Sequence, residues 1–139
     1  MTVTSPAREG HAPIVLLVED AEDNREMYAS YLSQFGFRVM QAANAVEALD
    51  TLTRQLPDVM VTDIALPGRD GVALCRDFRQ HARLAHTPII ALTGLTLSDE
   101  EVERTLKAGS NLILFKPCLP DTLLMEIHQV LTRPARLRD

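Results

Sequence analysis

The chain has 139 residues, of which 46% are hydrophobic, 24% are charged and 4% are aromatic, and its formal net charge is -5. This length fits one domain that buries roughly 70% of its unfolded surface, and the composition excludes a disordered or fibrous protein. The acidic balance argues against a nonspecific nucleic-acid binder, which needs a basic face, and no apolar run is long enough to span a membrane.

The chain begins with a segment that shows neither periodicity nor a secretory signal, so we expect residues 1–13 to be a flexible leader. Short aliphatic runs alternating with amphipathic segments then predict five strands and their crossover helices, in one domain over residues 14–132. The strands are expected at residues 14–19, 37–41, 59–63, 88–93 and 111–116. Residues 133–139 are expected to be a short basic tail, with Arg133, Arg136 and Arg138.

The segments between the strands carry signals for helix ends. Three of them place a capping side chain three residues before a glutamate, in the pairs Asp23 with Glu26, Asn44 with Glu47 and Ser98 with Glu101. Gly36 and Gly109 suit a left-handed stop after the first and fourth helices. Asp70 is expected to begin the third helix, and Pro120 the fifth, where a proline loses no hydrogen bond.

Five such units with right-handed crossovers predict an α/β fold. We expect a three-layer, doubly wound (flavodoxin-like) architecture with a five-stranded parallel sheet in the order 2-1-3-4-5. Ligands of such folds bind outside the carboxyl ends of the strands. The polar residues predicted at that edge are Glu19, Asp20, Asp63, Thr93 and Lys116.

This order makes strands one and three neighbours and so crowds three carboxylates together. Like charges about 4 Å apart repel by roughly 4 kcal/mol at an effective dielectric near 20, so the cluster either shifts a pKa or binds a cation. An all-oxygen site that retains water suits Mg²⁺. Lys116 and Thr93 could hold phosphoryl oxygens, which makes Asp63 a candidate nucleophile that needs no base.

Taken together, these motifs resemble the receiver domains of bacterial two-component response regulators. The resemblance covers nearly all of residues 13–132. It rests on the acidic pair after IVLLV, on the aspartate shortly before LPGRDG, on the threonine in IIALTG and on the lysine that ends AGSNLILFK. Each fragment alone is a weak signal, but their order and placement together are specific.

The resemblance implies a phosphoacceptor domain that works with Mg²⁺. Asp63 would be phosphorylated by a histidine kinase or a histidine phosphotransfer protein. Glu19, Asp20, Asp63 and the backbone carbonyl of Ala65 would hold the metal ion. The domain would not be an enzyme in the ordinary sense, with at most self-phosphorylation from small donors and autodephosphorylation.

The resemblance also implies a switch. Thr93 would shift toward the phosphoryl group and Lys116 would pair with it, with a cis bond before Pro117. Family members often carry an aromatic residue three positions before this lysine, whereas this chain has Ile113, so we expect a muted response. Gly94 follows the threonine where a small residue with a side chain is usual, which predicts a looser loop.

The partners implied are a kinase or phosphotransfer protein and a downstream protein that binds the face of helix 4, strand 5 and helix 5. That face could also form a homodimer, and we expect no direct contact with nucleic acid or membrane. The widely spaced Cys75 and Cys118 favour reduced thiols and a cytoplasmic location. The chain would be a stand-alone regulator or the receiver of a longer protein.

Two alternative functions follow from the same residues. A receiver-like scaffold would bind partners without phosphorylation, although such proteins lack the acidic pair, the acceptor or the lysine. A haloacid-dehalogenase-like phosphohydrolase would need a second aspartate two residues after the first, and that position is Ala65.

Overall fold

The computed structural model describes residues 12–68, 70–94 and 97–132. Within these ranges one sheet of parallel strands has the order β2-β1-β3-β4-β5, which confirms the predicted fold. The strands are β1 (Ile14–Val18), β2 (Arg38–Ala42), β3 (Val59–Asp63), β4 (Ile89–Thr93) and β5 (Leu112–Phe115). The helices are α1 (Glu22–Gln34), α2 (Ala45–Thr51), α3 (Gly71–Gln80), α4 (Asp99–Lys107) and α5 (Pro120–Thr132).

Several sequence predictions fall outside these ranges. The basic tail with its three arginines lies there entirely, as does all of the leader except its last two residues. Among the described helices, none is both long enough and apolar enough to cross a membrane.

The sheet is covered on both faces because its central strands are apolar except at or next to their carboxyl ends. Every residue of β1, β3 and β4 is buried. Alternate side chains divide between two clusters: Leu16 and Met60 belong to one, and Leu17 and Val61 to the other. The first cluster includes residues of α2 and α3, and the second includes residues of α1 and α5. This division produces the three layers and leaves polar groups only at the strand ends.

The helix ends follow local chemistry with one exception. Asn44, Asp70 and Ser98 each accept a hydrogen bond from the third backbone N–H of the helix that follows, which confirms the caps predicted at Asn44 and Ser98 and the helix start predicted at Asp70. The predicted cap at Asp23 is wrong, because α1 already begins at Glu22 and the capping position is Ala21, which makes no side-chain bond. Instead, the side chain of Glu19 accepts a hydrogen bond from the Ala21 N–H at 3.1 Å, so the chain enters the helix earlier.

Arg79 at the end of α3 joins three segments that are far apart in the sequence. Its guanidinium donates hydrogen bonds to the carbonyl oxygens of Leu84, Thr87 and Gly109. It also donates to the side-chain oxygen of Asn111 at 2.8 Å. These bonds fasten the α3–β4 loop and the turn after α4 to the end of α3.

Gly109 and Gly36 offer a matched pair of substitutions. Both have positive φ, at 123° and 95°, but a Cβ on Gly109 would lie 2.6 Å from Cγ of Arg79, whereas one on Gly36 would meet nothing within 4 Å. We expect Gly36→Ala to lower the free energy of unfolding by about 1 kcal/mol, from backbone strain alone. Gly109→Ala should lower it by about 2–4 kcal/mol, because the Arg79 bonds must also shift. Urea denaturation measures both, and equal losses would contradict the role of Arg79.

Candidate functional site

The candidate site lies at the carboxyl edge of the sheet, where each of four strands either ends in a polar residue or is followed directly by one. β1 is followed directly by Glu19 and Asp20, while β3 ends at Asp63. The ladder pairs Val18 with Thr62, so the next residues along each strand, Glu19 and Asp63, lie side by side. The strand β3 therefore places the Asp63 carboxylate at this edge, while the apolar residues of the same strand form part of the core.

Three carboxylates meet at this edge. One carboxylate oxygen from each of Glu19, Asp20 and Asp63 lies within 4.8 Å of the other two. Glu19 and Asp63 are buried, with 1% and 5% of their surface exposed, whereas Asp20 is exposed. The donor set is all oxygen and open to water on one side, which fits Mg²⁺, an ion that keeps several of its waters.

Lys116 lies between the two buried carboxylates. Its Nζ atom is 2.8 Å from a carboxylate oxygen of Glu19 and 2.6 Å from one of Asp63. Burial alone would lower the pKa of the Lys116 ammonium, but its hydrogen bonds and charge attraction to Asp63 and Glu19 outweigh burial and raise the pKa. The stabilisation from Lys116 is therefore complete at neutral pH and is lost only as the pH rises above the ordinary pKa of 10.5 and through the raised one.

Backbone groups hold the remaining oxygens of the buried carboxylates. The second oxygen of Asp63 accepts a hydrogen bond from the N–H of Ala65 at 2.9 Å. The second oxygen of Glu19 is the one bonded by the Ala21 N–H. Each carboxylate thus has one oxygen toward Lys116 and one held by the backbone, so both side chains are oriented.

The segment carrying Lys116 is tied to the end of β4. The Lys116 N–H donates to the carbonyl oxygen of Thr93 at 2.6 Å, and the bond between Lys116 and Pro117 is cis, as predicted. Thr93 is buried, with 4% of its surface exposed. Ile113, the other residue of the predicted switch, is partly buried and packs against the core rather than against the carboxylates.

Three residues near this edge were not identified from the sequence. The guanidinium of Arg25 donates to the carbonyl oxygen of Glu19 at 2.9 Å, and the Tyr28 hydroxyl donates to the carbonyl of Cys118 at 2.6 Å. Gly71 begins α3 so close to β3 that a Cβ there would lie 2.5 Å from the carbonyl oxygen of Asp63. Only the Gly71 position carried a signal, since a glycine directly after a capping aspartate leaves room for close backbone approach.

Comparison with known proteins points to one family. The sequence model described as "Response regulator receiver domain" matches residues 15–128. The chain is 37% identical over 121 residues to the transcriptional regulatory protein GltR of Pseudomonas aeruginosa, an alignment that covers 86% of this chain and 49% of GltR. It is 33% identical over 119 residues to the transcriptional regulatory protein YxdJ of Bacillus subtilis, covering 86% and 50%. The chain therefore spans about half the length of these curated relatives.

Solved structures show the same likeness in three dimensions. The chemotaxis response regulator CheY4 of Vibrio cholerae superposes with a TM-score of 0.79 at 29% sequence identity. The match covers 85% of this chain and 98% of that chain.

Proposed function

Because this chain belongs to the response regulator receiver domain family, we propose that it accepts a phosphoryl group on Asp63 in a two-component signalling system. The donor in this proposal is a histidine kinase or a histidine phosphotransfer protein. One observation carries the proposal: Asp63 is a buried carboxylate clustered with two further carboxylates and hydrogen-bonded to the ammonium of Lys116. Such a cluster combines a nucleophile with groups that offset the charge of an incoming phosphoryl group.

The metal ion of this proposal is Mg²⁺. Glu19, Asp20 and Asp63 would hold it with their carboxylates, and Ala65 with its backbone carbonyl. When bound, Mg²⁺ would neutralise charge on the transferring phosphoryl group and orient it. The exposed position of Asp20 leaves one side of the cluster open to water, in keeping with an ion that is only partly enclosed.

The residues of the chain would act in a defined sequence. An oxygen of the Asp63 carboxylate forms a bond to phosphorus, and the bond between phosphorus and the donor's imidazole nitrogen breaks, so the imidazole leaves with the electron pair. Lys116, already hydrogen-bonded to Asp63, would follow the new negative charge onto a phosphoryl oxygen. The hydroxyl of Thr93, at the end of the neighbouring strand, would donate to another.

Output would pass through the surface formed by α4, β5 and α5. Large apolar side chains are exposed on these elements and on the loop before α5, namely Leu106, Phe115, Leu119 and Met125. Exposed large apolar side chains on these elements favour a protein contact, so we propose a downstream protein or a second copy of this chain as the partner.

We also propose a cytoplasmic location. Both cysteines are free thiols, which is usual for proteins of that compartment.

The function is tested by incubating the protein with acetyl phosphate and Mg²⁺ and measuring its intact mass. We expect a gain of one phosphoryl group that requires Mg²⁺. Borohydride reduction, which converts an aspartyl phosphate to homoserine, should locate it at Asp63 by peptide mapping. If no phosphoryl group is taken up although Mg²⁺ is bound, the proposal is wrong and a receiver-like scaffold becomes the better explanation.

Removing the exposed carboxylate should separate metal binding from stability. We expect Asp20→Asn to weaken Mg²⁺ binding at least about tenfold, because even groups outside the first coordination shell contribute 10–100-fold in metal sites. The free energy of unfolding without metal should hold or rise slightly, since one like charge is removed. Isothermal titration calorimetry measures the affinity.

The matched control is Asp23→Asn, which removes the same charge from another exposed aspartate in the first turn of α1. It should leave Mg²⁺ affinity within about twofold, because screening weakens the interaction of solvent-exposed charges. Equal losses of Mg²⁺ affinity in the two variants would mean that Asp20 attracts the ion only through the overall negative charge of the protein and is not a ligand.

A further inference from the structure

The short segment between β5 and α5 carries Lys116 and is anchored on both sides of it. The Lys116 N–H donates to the carbonyl oxygen of Thr93 at 2.6 Å. Pro117 follows and has no N–H to donate. The next residue is Cys118, whose carbonyl oxygen accepts a hydrogen bond from the Tyr28 hydroxyl, also at 2.6 Å. One hydrogen bond to β4 and one to α1 therefore bracket the residue that supplies the ammonium.

Tyr28 can act as an anchor because its ring is part of the core. It has 4% of its surface exposed and belongs to the cluster that includes residues of α1, α5 and the sheet. A close-packed ring has little freedom to move, and the hydroxyl of a buried tyrosine usually finds a partner. Burial raises the pKa of the Tyr28 hydroxyl, and the nearby Cys118 raises it further, so the group remains a donor at neutral pH.

The same helix also holds the backbone next to the other partner of the ion pair. The guanidinium of Arg25 donates to the carbonyl oxygen of Glu19 at 2.9 Å. Arg25 and Tyr28 are three positions apart on α1, and residues at that spacing are neighbours on a helix surface. One turn of α1 therefore fixes the backbone on both sides of the ion pair between Glu19 and Lys116, which measures 2.8 Å.

Lys116 needs a fixed backbone because its side chain is long and flexible. Holding a lysine in one geometry costs more conformational entropy than holding most other side chains. Its ammonium must also stay within hydrogen-bond distance of both Glu19 and Asp63, now at 2.8 and 2.6 Å. In catalytic sites a displacement of about 1 Å, caused by a distant substitution, can lower a rate by about 100-fold.

We propose that Tyr28 is a positioning residue for Lys116: its hydroxyl holds the carbonyl of Cys118 and so fixes the segment from which the lysine ammonium reaches Glu19 and Asp63. This inference rests on the proposed function and deepens it, because it adds a core residue on which phosphoryl transfer depends. Tyr28 touches neither the phosphoryl group nor the metal ion and acts by limiting how far the Lys116 backbone can move.

Tyr28→Phe tests this role because it removes one oxygen atom and keeps the ring in the core. We expect phosphoryl uptake from acetyl phosphate to slow by about three- to tenfold, because Lys116 is correctly placed for a smaller fraction of the time. Affinity for Mg²⁺ should stay within about twofold, since the carboxylates that would hold the ion are unchanged. The matched control is Tyr31→Phe, at the other of the two tyrosines, whose ring packs on Phe35. This variant should keep the uptake rate of the unaltered protein.

Carbon-13 relaxation of the lysine Cε groups at neutral pH measures the positioning itself, without any phosphorylation. The chain has two lysines, so the spectrum contains two signals, which Lys107→Met assigns. We expect Lys116 to be much more rigid than Lys107, whose side chain is 77% exposed. The order parameter of Lys116 should fall in Tyr28→Phe and stay unchanged in Tyr31→Phe. A loss of stability alone would not produce this fall, because the signal is recorded from folded protein.

The possible outcomes separate this inference from the proposed function. If Lys116 stays rigid in Tyr28→Phe protein that urea denaturation shows to be folded, the inference is wrong while the proposed function stands. The inference is also wrong if Lys116 is as mobile as Lys107 in the unaltered protein, or if Tyr28→Phe leaves the rate of uptake unchanged. If the unaltered protein binds Mg²⁺ but takes up no phosphoryl group, the proposed function fails, and the relaxation of Lys116 still decides whether Tyr28 positions it.

Discussion

Asp63→Asn is expected to abolish phosphoryl uptake from acetyl phosphate, with a rate at least about a thousandfold below that of the unaltered protein. The carboxamide is uncharged and a far weaker nucleophile, and removal of the nucleophile has effects of this size or larger in other covalent reactions. The size and shape of the side chain are kept, so the fold should persist. Intact mass after incubation with Mg²⁺ measures the result.

Asp58→Asn provides the matched control for this experiment. Asp58 is also a buried aspartate, with 8% of its surface exposed, but it precedes β3 at the opposite edge of the sheet. Its carboxylate accepts a hydrogen bond from the N–H of Ile14 at 2.8 Å, a bond that an asparagine oxygen can still accept. We expect this variant to be phosphorylated normally. Uptake by Asp63→Asn, or loss of uptake in both variants, would refute the assignment of Asp63.

Lys116→Met should lower the free energy of unfolding by about 2–4 kcal/mol in the presence of EDTA. The substitution leaves Glu19 and Asp63 as neighbouring buried carboxylates without their counter-ion, and removal of one partner from a buried ion pair costs about 3–5 kcal/mol. We expect a loss toward the lower end of this range because 27% of the Lys116 side chain is exposed, so water already screens part of the ion pair. Urea denaturation with EDTA measures the loss.

Magnesium should reverse part of this loss, since a cation can replace the missing ammonium. The added stability grows with Mg²⁺ concentration, because the ion binds the folded state. The control is Lys107→Met, which removes an exposed lysine paired with Glu103 at 3.2 Å and should cost below about 0.5 kcal/mol. A loss in Lys116→Met that Mg²⁺ fails to reduce would mean that the carboxylates do not form a cation site.

The elements of the fold follow from local signals. Each of the five aliphatic runs forms a strand within one residue of its expected bounds, as for residues 88–93 and the observed Ile89–Thr93. The predicted cap at Asp23 was wrong, because α1 begins at Glu22 and the side chain of Glu19 accepts the N–H of Ala21, only two residues further on. Several local patterns compete at a helix end, so its exact first residue is the least predictable part of a helix.

Both the sequence and the tertiary structure contribute to the definition of the candidate site. The sequence placed five polar residues at the ends of strands. The structure brings carboxylate oxygens of Glu19, Asp20 and Asp63 within 4.8 Å of one another and places the Lys116 ammonium against Glu19 and Asp63. Their roles in phosphoryl transfer remain predictions, as does the switch at Thr93.

Periodicity, capping residues and the polar side chain at each strand end are properties of short segments. The amino-acid sequence alone was therefore enough to predict the α/β architecture and the acidic residues at one edge of the sheet. Contacts such as Tyr28 with the carbonyl of Cys118, 90 positions apart, or Arg79 with Gly109 and Asn111, leave no local trace. They depend on which distant backbone atoms the folded sheet brings within hydrogen-bond reach, and that is a property of packing, because only packing sets distances between segments the chain does not connect directly.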